Sequence, residues 1–194
     1  MQAQHHHQLS DSQKAEVARL VLEANLAYGE SNHPQRRFVE RTRARQSCRS
    51  LLGEALARQP QHAGALGLLG RIEMDDGDLD RAESLFQSSL QQNPEQPQQY
   101  VNLGYWALKS ERPAKAEGYF RQALELDRQS AAAFCGIAHA KREQGQFDVA
   151  YLHYRKLLET GLDWPSVYSG MLSCAARINV HKADERLALD AIAL

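Results

Sequence analysis

With 194 residues, 43% of them hydrophobic and 24% charged, the chain is long enough to bury a core and fits one domain or one continuous array. Lys plus Arg at 23 against Asp plus Glu at 24 leaves a net charge of −1, which excludes bulk attraction to nucleic acid or to an anionic membrane; such binding would need a local patch. Cys48, Cys135 and Cys174 are odd in number, far apart and free of C-x-x-C spacing, against both a disulfide framework and a zinc ribbon. They read as small core residues in a reducing compartment. No run approaches the length of a membrane span, and the first thirty residues lack a cationic start followed by an apolar core, so a cytoplasmic location is the default expectation.

In chain order, Met1 to Ser10 with His5-His6-His7 reads as a flexible, tag-like polar tail rather than a transition-metal site. Residues 11–62 form a degenerate unit. Its first helix is the apolar-periodic run Val17 to Tyr28, followed by an inserted loop around Gly29 to Pro34. Its second helix carries Cys48, Leu52 and Ala55 and closes at Pro60. On that helix Arg37, Arg41, Arg45 and Arg49 recur every four residues, with Arg36 and Arg43 beside them, as a drifting basic stripe. The stripe reads first as a solvated face opposite Phe38, Ala44, Cys48 and Leu52; the alternative is a site for an acidic protein segment, a phosphate or RNA.

Residues 63–96, 97–130 and 131–164 align without a gap at a period of 34. The fourth place holds Leu66, Tyr100 and Phe134, the seventh Leu69, Leu103 and Ile137, and the eighth Gly70, Gly104 and Ala138. The twentieth holds Ala82, Ala116 and Ala150, the twenty-fourth Phe86, Phe120 and Tyr154, and the twenty-seventh Ser89, Ala123 and Leu157. Bulky residues at helical spacing make a buried stripe, and small ones let two helices approach, so each block is a helical hairpin. Gly77 followed by Asp78 and Asp80 supplies the turn, Gly145 and Asp148 repeat it, and Glu111-Arg112-Pro113 replaces it in the second block. Residues 165–194 read as a further capping pair, Pro165 to Ile178 and Lys182 to Leu194, with Tyr168, Met171 and Leu172 on the expected face.

These places resemble the tetratricopeptide repeat, W-x2-L-G-x2-Y, then A-x3-F, then P. The closing proline is present as Pro94, while Arg128 and Leu162 stand in its place later. The resemblance implies an all-α, right-handed α-solenoid of stacked helix-turn-helix hairpins. It also implies a concave wall made by the first helix of each repeat, placing Arg71, Met74 and Asp75, then Val101, Asn102, Tyr105, Leu108 and Lys109, then Cys135, His139, Arg142 and Glu143 in the groove. That wall offers apolar anchors with Arg71, Lys109, His139 and Arg142 around them. It suits an amphipathic or extended protein segment with acidic flanks, its backbone held by Asn102. The carboxylate clamp of the Hsp90/Hsp70 tail-binding group is not matched. Gly67, Arg71, Ala132 and Gly136 fall on its places and only Asn102 fits, so tight binding of a free Asp-containing tail is not expected.

No glycine-rich phosphate loop, nucleophile elbow, H-E-x-x-H or kinase signature occurs, and no catalytic residue, metal site or cofactor is assigned. "DDGDLD", Asp75 to Asp80, lacks the ligand order of a calcium loop and is explained by the repeat turn. The leading expectation is therefore a non-catalytic interaction scaffold that captures a peptide or helix. The alternatives are the recruiting arm of a larger methyltransferase, glycosyltransferase or dioxygenase, and a secretion-type chaperone. RNA binding, resting on the arginines alone, ranks last. "LALDAIAL", Leu187 to Leu194, is apolar on nearly every side and needs cover, either from further chain or from a second protomer.

Overall fold

A computed structural model describes residues 9–32, 35, 37–162 and 164–192, with side chains described as far as residue 179. Its described residues form nine helices: α1 (Asp11–Ser31), α2 (Phe38–Arg58), α3 (Ala63–Asp76), α4 (Leu79–Gln92), α5 (Pro97–Lys109), α6 (Pro113–Leu126), α7 (Ala131–Glu143), α8 (Phe147–Glu159) and α9 (Pro165–Ile192). They fall into two units, residues 1–94 and 95–194. The His5-His6-His7 cluster and Arg36 lie outside the described residues.

In the first unit α1 packs on α2 and α3 on α4, with α3 also touching both α1 and α2. Helix α1 is longer than the expected run because Ser10 and Gln13 form a reciprocal capping box: Ser10 Oγ accepts from the Gln13 N–H, and Gln13 Oε1 accepts from the Ser10 N–H. Ser10 thus belongs to the helix entrance rather than to a tail. The buried stripe Val17, Leu20, Ala24, Tyr28 has helical spacing, and Ala24 and Tyr28 meet Cys48, Leu52, Ala65, Leu68 and Ile72 in the core.

In the second unit the hairpins α5–α6 and α7–α8 pack through α6 on α7 and α5 on α7, and α9 closes on α8 and α7. Pro97 and Pro113 start α5 and α6, where a missing N–H costs nothing. Here the period can be read as packing. Ala82, Ala116 and Ala150 are fully buried, as are Phe86, Phe120 and Tyr154. The Phe120 ring lies so close to both Gly104 in α5 and Gly136 in α7 that a Cβ on either glycine would collide with it. One aromatic therefore fills the space left by two glycines, locking a hairpin to its successor.

The C-terminal pair is not observed. Helix α9 runs unbroken from Pro165 to Ile192, because Asn179 to Lys182 contains neither glycine nor proline to end it. The side chains of Leu187 to Leu194 lie outside the described residues.

Candidate interaction surfaces

The basic stripe is built on α2 of the first unit, but much of its charge is met within the fold. Arg37 precedes the helix as its N-cap residue, its N–H donating to Glu40 Oε2. Arg45 reaches Asp76, and Arg49 donates through Nε to Glu73 Oε1 at 3.2 Å and through Nη2 to Glu73 Oε2 at 3.0 Å and Asp76 Oδ2 at 2.6 Å. Partial burial would raise the Asp76 carboxyl, yet the guanidiniums of Arg49 and Arg45 hold it below the usual carboxylate range. Glu73 is buried, so this cluster ties α2 to α3. Arg41 is half-buried, and Arg37 and Arg43 stay exposed.

The acidic turn after α3 is occupied in the same way. Tyr28 Oη donates to Asp75 Oδ2 at 2.6 Å, and Arg71 lies 4.6 Å over the Tyr28 ring. Asp78 caps α4 by accepting from the Arg81 N–H. Met74 is buried at 8% exposure, in the core rather than on a wall.

In the second unit the groove residues divide by depth. Val101 and Asn102 are buried. The Asn102 amide is bound on both sides, Nδ2 donating to Gln99 Oε1 at 3.0 Å and Oδ1 accepting from Gln98 Nε2 at 3.2 Å. Tyr105 is half-buried, edge-on to Phe120 with ring centroids 5.2 Å apart. Leu108 is half-buried and Lys109 exposed. His139 sits 2.8 Å by Nδ1 from Tyr154 Oη and 3.3 Å by Nε2 from Cys135 Sγ. Burial first, and Arg142 second, lower the His139 pKa to about 4, so it is neutral near pH 7 and adds no cation to the groove. Burial likewise pushes the Cys135 thiol up, the opposite of what a thiolate nucleophile needs.

Beside Arg142 lies a polar depression of about 310 Å³ between α7 and α9. It is lined by Arg142, Glu143, Phe147, Ser173 and Arg177 among others. Arg142 donates to Glu143 Oε1 through Nη2 at 2.8 Å and Nε at 3.2 Å. Arg177 is exposed, stands 5.8 Å over the Phe147 ring, and makes no ion pair among the described residues. Sequence reasoning put Arg142 and Glu143 on the groove wall and missed Ser173 and Arg177. Carrying the 34-residue register one block further puts Ser173 in the place of His139 and Arg177 in that of Glu143, a signal hidden by reading residues 165–194 as a cap.

Residues 61–129 match the tetratricopeptide repeat. Human protein O-mannosyl-transferase TMTC3 is 30% identical over 80 residues, 41% of this chain. The chain spans 9% of the length of the curated relatives it matches. Among solved structures, pilF of Pseudomonas aeruginosa superposes with a TM-score of 0.70 at 15% identity, over 91% of this chain and 75% of that one. The first repeat domain of Spaghetti (RPAP3), bound to the HSP90 peptide SRMEEVD, superposes with a TM-score of 0.57 at 18% identity, over 61% of this chain and 94% of that one. At these identities the likeness shows the fold alone, an all-α solenoid of helical hairpins. The 34-residue period, the hairpins it builds and the family match together identify residues 61–129 as tetratricopeptide repeats.

Proposed function

We propose that the chain is a non-catalytic protein-binding module whose α7–α9 face receives an acidic segment of a partner. The supporting observation is the depression flanked by Arg142 and Arg177, two guanidiniums beside the Ser173 hydroxyl. Planar guanidinium forks bind carboxylates bidentately, so a Glu or Asp side chain entering here gains charge-assisted hydrogen bonds and displaces Glu143 from Arg142. Leu108 on α5 and Phe147 on α8 supply half-buried apolar surface in the same unit. The RPAP3 domain that shares the fold holds a peptide with two adjacent glutamates and a valine, the same chemical class. The mode differs from a terminal-carboxylate clamp. Gly67, Ala132 and Gly136 occupy clamp places, and the Asn102 amide is already satisfied by Gln98 and Gln99.

A second reading, the repeat arm of a larger enzyme, is favoured by the TMTC3 match and by the small share of its relatives that the chain spans. The two are compatible, since an arm also works by binding. Affinity enrichment with the wild type beside an Arg142→Glu, Arg177→Glu variant of equal helicity tests the site. The variant is expected to lose the proteins that the wild type retains; recovery of the same set by both removes the α7–α9 face from consideration.

A further inference from the structure

The second unit has another concavity, at the opposite end of α7. Where the α6–α7 loop meets the end of α8, a cavity of about 370 Å³ is lined by Ala131, Phe134 and Leu157 and by Arg128, His153 and Lys156. Its origin is legible in the repeat. The family pattern closes a block with proline, and Arg128 stands at that place. The aromatic at the fourth place, Phe134, is 36% exposed, whereas Leu66 and Tyr100 at the same place are half-buried.

The charged groups of the lining are cationic. No Asp or Glu lines the cavity, no acidic residue occupies the first turn of α7, and Lys156 lies in the last turn of α8. Among the described residues neither the Arg128 nor the Lys156 side chain, both exposed, is held by an ion pair or hydrogen bond. His153 is held below its ordinary pKa, by burial first and then by Lys141 and Lys156, and so remains a neutral donor or acceptor near pH 7.

We propose that this cavity binds a small carboxylate with an aromatic body, the ring system lying against Phe134 and Leu157 and the carboxylate engaging Arg128 and Lys156. Ligand sites are apolar concavities of about 300 Å³ upward with a few convergent polar groups, which this one matches at the small end. At roughly 30 Å³ per small group, such a volume holds a ligand of about ten to fifteen non-hydrogen atoms. A carboxylate gains charge-assisted hydrogen bonds from both cations, which a neutral body leaves to solvent. The proposal stands apart from protein binding at the α7–α9 face and does not depend on it.

The test is an amide NMR titration of the full chain with 1-naphthylacetate and, separately, with the neutral 2-(1-naphthyl)ethanol. The acid is expected to give saturable shifts clustered in residues 128–134 and 153–160, and to bind about tenfold or more tightly than the alcohol. In an Arg128→Gln, Lys156→Gln variant with an unchanged helical melt, affinity for the acid should drop by about tenfold or more. Absence of saturable shifts, shifts centred elsewhere, alcohol binding as tight as acid binding, or undiminished affinity in the variant each overturn the proposal. Should the variant fail to fold, the acid and alcohol titrations of the wild type decide alone.

Discussion

At the scale of single residues, the turn inside each repeat shows how one backbone requirement meets different chemistry. Gly77 and Gly145 adopt φ of 93° and 77°, the left-handed conformation that ends α3 and α7, and Glu111 holds the same place in the second block with φ of 57°. An L-residue with a Cβ is held there at a cost of about 1–2 kcal/mol, whereas glycine pays only the larger entropy of its unfolded chain. Glu111→Gly is therefore expected to stabilise the protein by about 0.5 kcal/mol and to raise the melting temperature by a few degrees. The converse, Gly77→Ala, should destabilise the protein by about 1 kcal/mol. Thermal denaturation of both variants checks the pair, and a lower melting temperature for Glu111→Gly would mean that the Glu111 side chain contributes more than its backbone costs.

At the scale of helices, the link from α2 to α3 rests on Arg49 and the buried Glu73 as well as on apolar packing. Removing the cation leaves the buried Glu73 carboxylate with only the longer ion pair to Arg81 at 3.9 Å, so Arg49→Met should destabilise by about 1–3 kcal/mol. Adding Glu73→Gln to that variant should recover part of the loss, because the stranded charge goes with it. Urea denaturation of the two single variants and the double completes the cycle; strictly additive losses would show that the pair does not couple. This element also marks the limit of reading from sequence. The hairpins from residue 63 to residue 159 were legible because their contacts recur at one period. The ion pairs of Arg45 and Arg49 were not, because Asp76 and Glu73 lie 31 and 24 residues away, at spacings that no local rule singles out. Asn102 was placed correctly on its helix but not in its hydrogen bonds, which depend on rotamers of Gln98 and Gln99 rather than on repeat position. Likewise α9 continues through Asn179 to Lys182, since the expected break rested on the pattern of earlier blocks and not on a helix-ending residue.

At the scale of the whole molecule, titration should be felt as acid sensitivity. His139 has a folded pKa near 4 against an ordinary 6.5, and His153 is displaced in the same direction by burial. A depressed histidine favours the folded state above the unfolded pKa, and that contribution is lost as pH falls from about 6.5 toward 4, where the unfolded chain takes up the proton first. The melting temperature of the wild type should fall across that window. A His139→Gln variant, which can still accept from Tyr154, should show a flatter dependence. Equal slopes for the two proteins would assign the acid sensitivity to other groups.

The Phe120 ring held between Gly104 and Gly136 carries a consequence for how such a chain can change over generations. A larger residue at either glycine collides with the ring, and a smaller residue at 120 opens a void against both, so single steps away from the present trio are all costly. The three sites belong to consecutive hairpins, so inheritance is constrained across the junction rather than within a module. A block of 34 residues cut at the hairpin boundary and duplicated or exchanged would bring its own ring and its own first glycine but borrow the second from whatever follows. Recombination is thus easiest between neighbours that already agree at that second position, which is one physical reason for an array to stay regular in its middle while its ends drift.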